Sequence, residues 1–109
     1  LLSEHEYDVD NEVNPFVHIT MHAIAETQLG NRDPLEVYQF YNAMRKKKAS
    51  YHEAVHLICA VLAPLMFKTL KERKVFDLEK YRSQLKNYKH MKPEKIFSSL
   101  EKQEDSAED

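Results

Sequence analysis

Apolar residues along the middle of the chain recur every three or four positions, the period of an amphipathic helix rather than a strand. From Tyr51 onward, 100° steps gather Cys59, Ala63, Met66, Phe67 and Leu70 on one side. Lys68, Lys71 and Glu72 gather on the other. This predicts a third helix from Tyr51 to about Arg73, opened by Ser50 with Glu53 at capping-box spacing. Pro64 is expected to kink or interrupt it. Two earlier segments carry their own start signals. Asn14-Pro15 predicts a first helix over Pro15 to Leu29, with Gly30 just past its end. Asp33-Pro34, with Glu36 three residues after Asp33, predicts a second over Pro34 to Lys47. Its last turn holds Arg45, Lys46, Lys47 and Lys48, which suits the negative end of the helix dipole. Asp77 predicts the start of a fourth helix reaching about Lys89, and a short fifth follows over Pro93 to Gln103. Residues 1–13 lack a period and read as a mobile arm; 104–109 are acidic and read as a disordered tail.

Composition sharpens the fold class. One glycine in 109 residues leaves few positions for sheet turns and bulges, while 31% of residues are charged. The expectation is all-α: a small up-down helical bundle of four to five helices, spanning 14–103 as one domain. A net charge of −2 lacks the basic footprint of a nucleic-acid binder. Cys59, the single cysteine, has no internal disulfide partner and falls on the apolar face, as a core thiol does. No apolar run of about 18 residues suggests a membrane span, and no signal peptide is visible. A cytoplasmic setting is therefore expected. The first residue is leucine rather than methionine, which leaves room for an upstream segment.

The histidines carry the candidate chemistry. His18 and His22 are four apart, as are His52 and His56, so each pair projects from one helical face. Glu26 extends the first ladder by another turn. On the third helix, His52 and His56 fall within the apolar side and are expected to be buried against the first helix. Glu53 falls toward the polar flank, where capping is its expected role. Short connections predict an up-down-up arrangement, with the first and third helices parallel and starting at one end. The two ladders would then be level, and His18, His22, Glu26, His52 and His56 could hold a divalent metal, with zinc or iron favoured. The bland alternative is a polar core or solvent-edge cluster in a metal-independent interaction module with an unknown protein partner. A third reading is a metal-dependent hydrolase, because His52-Glu53-Ala54-Val55-His56 matches H-E-x-x-H. No strand is predicted that would hold an extended peptide, which weighs against a protease. Tyr38, Phe40 and Tyr41 read as packing, and His5 and His90 as exposed.

Asn14-Pro15-Phe16-Val17-His18, followed by His22 and Glu26, resembles a bacterial family catalogued as domain of unknown function 1841. His52 to His56, running into Ala60-Val61-Leu62-Ala63, looks like its second block. The likeness covers roughly residues 7 to 88. It implies a small helical cytoplasmic protein in which His18, His22, Glu26, Glu53 and His56 match the family's polar positions. It implies no activity. Cys59 stands where a small residue is expected and Pro64 where an acidic one is expected. Without that carboxylate, a di-iron centre with several bridging carboxylates is disfavoured.

Overall fold

A computed structural model describes residues 15–108, with side chains described for 19–100. The predicted arm at 1–13 and the Asn14 cap lie outside the described residues. Five helices follow one another: α1 Pro15–Asn31, α2 Leu35–Lys46, α3 Tyr51–Glu72, α4 Leu78–Tyr88 and α5 Pro93–Glu108. There is no strand among the described residues. The all-α bundle is therefore as the composition and periodicity predict.

α3 is the central element. Every residue from Leu57 to Ala63 is buried, so its midsection is covered on all sides. The coverage comes from α1, α2, α4 and α5, all of which pack on it. Ile58 and Leu62 lie at the centre with Phe40 and Met44 of α2, Tyr81 and Leu85 of α4, and Ile96 of α5. A helix apolar around its whole circumference requires such an enclosure. By length and composition α3 is long and apolar enough to cross a membrane, contrary to the expectation that no segment is. More than half of its most apolar stretch is buried within the bundle, the pattern of a core helix. Pro64 does not interrupt it. Proline has no N–H to give the Ala60 carbonyl, but the flanking turns are held by surrounding helices.

Caps mark where the local reading holds and where it fails. At α3, Glu53 N donates to Ser50 Oγ at 3.0 Å and Ser50 N donates to Glu53 Oε1 at 2.8 Å, a complete capping box. At α4, Lys80 N donates to Asp77 Oδ1 at 3.0 Å. Gly30, by contrast, lies inside α1, and Arg32 takes the left-handed position with φ 54°. Arg32 N reaches Leu29 O and Asp33 N reaches Gln28 O, the paired bonds of a Schellman turn. The Arg32 guanidinium lies 4.2 Å from the centroid of the Tyr38 ring, a contact available only after the chain has turned into α2.

Nor do Asp33 and Glu36 form the predicted capping box. Pro34 occupies the N-cap, with no side-chain cap bond. Glu36 is buried and receives Arg82 of α4 in a fork, Nε to Oε1 at 3.1 Å and Nη2 to Oε2 at 3.0 Å. Lys86 stands 3.9 Å from the same carboxylate. A charge-assisted two-bond pair is stronger than one bond to a backbone N–H, so the tertiary partner wins. The Arg82 hydrogen bonds hold the Glu36 carboxyl below its ordinary pKa, against the opposing effect of burial. A second tie joins α4 to α1, where Tyr81 Oη donates to Gln28 Oε1 at 2.6 Å. Burial pushes the Tyr81 phenol well above its ordinary pKa. α5 continues through the acidic residues 104–108, beyond the predicted end at Gln103.

Candidate functional site

Three imidazoles meet where the second turn of α1 crosses the start of α3. Ring centroids lie 6.1 Å apart for His22 and His52, 5.9 Å for His22 and His56, and 5.8 Å for His52 and His56. The three separations are nearly equal, so the rings form a triangle drawn from two helices. His22 is half-buried and its Nε2 is shielded from solvent. His56 is half-buried, with Phe97 of α5 edge-on to its ring at 6.1 Å. His52 is exposed, which corrects the expectation that both α3 histidines are buried. It occupies the first turn, ahead of the Leu57–Ala63 stretch that the other helices enclose. The helical wheel gives its direction but not how far the neighbouring helices extend.

The helices do not meet in the parallel register expected from the connections. Tyr51 Oη donates to Glu26 Oε2 at 2.7 Å, whereas His56, farther along α3, meets His22, farther back along α1. These contacts step in opposite directions along the two helices; a parallel pair with level starts would step in the same direction. Connections of a few residues permit steep helix crossings as well as antiparallel neighbours. Glu26 is exposed and anchored by Tyr51, whose phenol pKa is raised by that bond. Of His18, only the backbone position on α1 is described; its side chain lies outside the described residues.

Glu53 serves the start of α3. Its Oε1 accepts the Ser50 N–H, so the carboxylate is engaged in holding the helix start. A cleft of about 370 Å³ adjoins the triangle at His56, with His56, Leu57 and Glu53 of α3 on one side and Pro93, Glu94 and Phe97 of α5 on the other. Lys47, Lys48 and Ala49 close it from the connection between α2 and α3. Two participants escaped the sequence reading. Phe97 belongs to an apolar pattern with Ile96 and Leu100, which marks a packed face without naming its partner. Tyr51 has no local signal for Glu26, twenty-five residues away.

Imidazoles in this arrangement offer nitrogen donors from rigid elements. Three rings on a tetrahedral zinc, with Zn–N of ~2.1 Å, put their centroids roughly 5 to 5.5 Å apart. The observed separations exceed this by less than about 1 Å. Among the described residues, no group of three or more His, Cys, Asp or Glu side chains has the geometry to hold a metal ion.

No curated protein and no solved structure matches the chain. A family model does, over residues 2–87, a span that takes in both histidine ladders and ends within α4. The chain therefore belongs to the family described as domain of unknown function DUF1841.

Proposed function

We propose that this domain binds a divalent metal ion through His22, His52 and His56, with His18 and Glu26 on the same face of α1 as further candidate ligands. The observation that carries this reading is the near-equilateral imidazole triangle. Imidazole nitrogens with a nearby carboxylate suit zinc or iron ahead of magnesium or calcium. Glu26, bonded by Tyr51, is placed better to orient the site than to compete for the metal. The role is regulatory or structural. The hydrolase reading is weakened because Glu53 is held in the α3 cap.

Metal analysis of untagged protein, purified without added metal, tests the proposal. Zinc or iron approaching one ion per chain is expected, with the content lost on His22→Ala. Protein that is metal-free and takes up neither ion on titration would overturn it.

A second reading, a metal-independent interaction module, draws on a different surface. Leu70, Val75 and Leu78 are exposed around the turn from α3 to α4, with Val75 91% accessible. An exposed apolar group of this kind is a candidate contact for a protein partner.

A further inference from the structure

We infer, independently of the metal reading, that the end of the bundle where the α2–α3 and α4–α5 connections meet is a binding surface for double-stranded DNA, held through its phosphates. The net charge of −2 is an average over unlike regions. Residues 1–13 hold five acidic side chains and no lysine or arginine, and residues 101–109 hold five against one lysine. Residues 14–100 hold 15 lysines and arginines against eight acidic side chains, a net +7. Much of that excess lies in two segments. Arg45, Lys46, Lys47 and Lys48 close α2. Lys86, Lys89, Lys92 and Lys95 run from the last turn of α4 into the first turn of α5. The fold brings the two segments together: Lys47 Nζ donates to the Lys89 carbonyl, and Lys47 and Lys48 share a cleft with Pro93 and Glu94. Across residues 45–53 and 86–95, eight cations stand with two carboxylates, Glu53 and Glu94.

Compensation of helix dipoles accounts for only part of this charge. Cations suit the ends of α2 and α4, but Lys92 precedes α5 and Lys95 lies in its first turn, where a cation opposes the dipole. Arg45, Lys46, Lys48, Lys92 and Lys95 are exposed. The make-up of the surface selects the partner. Interfaces with protein are depleted in lysine, whereas those with DNA are polar and strongly positive. Lysine, a point charge on a flexible stem, suits contact with phosphates. A membrane surface is held through buried apolar area as well as charge. The exposed Leu70, Val75 and Leu78 lie instead around the far end of α3, a helix of 22 residues, or about 33 Å. A single strand is held by stacking on aromatic rings. Tyr51, exposed at the start of α3, is already edge-on to Tyr41 and bonded to Glu26. A duplex bound through its backbone needs neither apolar anchors nor stacking rings.

The test is fluorescence anisotropy of a labelled DNA duplex of mixed sequence, titrated at low salt with the full chain. We expect saturable binding that weakens steadily as sodium chloride is raised, because each lysine–phosphate contact releases a counterion. The double variant Lys48→Glu/Lys92→Glu should weaken binding at least about tenfold. Lys68→Glu/Lys71→Glu makes the same change in net charge near the other end of α3 and should weaken it less than about threefold. Circular dichroism checks that each variant folds. If the first does not, Lys48→Gln/Lys92→Gln carries the comparison. No binding to the duplex would overturn the inference. Equal losses in the two double variants would assign binding to net charge and overturn the surface. Tighter binding to phosphatidylserine vesicles, to an RNA duplex, to a single-stranded oligonucleotide or to polyglutamate would overturn duplex DNA as the partner.

Discussion

His22 is the residue on which the candidate site turns, because it alone brings α1 to the two histidines of α3 among the described side chains. His52 and His56 share a helix and would sit one turn apart in any fold. His22→Ala and His56→Ala are each expected to lower metal affinity by at least about tenfold. The double substitution should add little, since a site already opened by one loss has less to lose from the next. Competition titration against a chromophoric chelator measures all three. Loss of binding in His22→Ala with His56→Ala unaffected would show that the two helices do not share one ion. Because protons compete with metal for imidazole nitrogen, the wild-type affinity should fall as the solution is acidified. The residue scale also shows the reach of the helical wheel. It aimed both α3 histidines correctly toward α1, yet burial differs between them because only His56 lies under Phe97.

At the scale of the element, α3 combines a strong local start with a midsection that depends on its neighbours. Its capping box satisfies backbone donors at both Ser50 and Glu53. Ser50→Ala is expected to cost about 1 kcal/mol of stability. Glu53→Gln keeps an oxygen acceptor and should cost less. Urea denaturation of the two variants checks the order. A Glu53→Gln protein of unchanged stability that loses its metal would assign Glu53 to the site instead. The caps of α3 and α4 were legible because donor and acceptor lie three residues apart. The start of α2 was not, because Glu36 answers to Arg82, forty-six residues later. The end of α1 was not, because Arg32 takes a conformation for which glycine is the usual choice, two residues after the glycine.

For the whole molecule, the Glu36–Arg82 pair ties α2 to α4 across the bundle and gives stability a predictable acid limb. Glu36 retains 9% side-chain exposure against 36% for Arg82, so the carboxylate is the partner shielded from water. Its pKa is depressed in the folded state, first through the Arg82 hydrogen bonds. A depressed carboxyl contributes stability that is present in full above the ordinary value of 4.5 and is lost as pH falls through the folded value. Thermal denaturation should therefore show a falling midpoint below about pH 4.5, and Glu36→Gln should flatten that fall. At neutral pH, the same substitution should lower the midpoint by a few degrees. A Glu36→Gln protein with the acid dependence of the wild type would remove the pair from this role.

Helix content, the order of the five helices and the caps at Ser50 and Asp77 follow from interactions within a few residues, and so does the alignment of His52 with His56. The shortage of glycine and the three-and-four spacing of apolar residues set the all-α class for the same reason. What lay beyond local reading was the angle and register at which rigid helices meet. That depends on side chains from distant segments filling one core: Phe40, Ile58, Tyr81 and Ile96 come from four helices. The crossing of α1 with α3 determines that Glu26 meets Tyr51 and that His22 meets His56. The placement of α5 determines that Phe97 covers one histidine while its neighbour one turn away remains exposed. Period and capping act along the chain; burial and convergence arise only when separate helices exclude water from the same space.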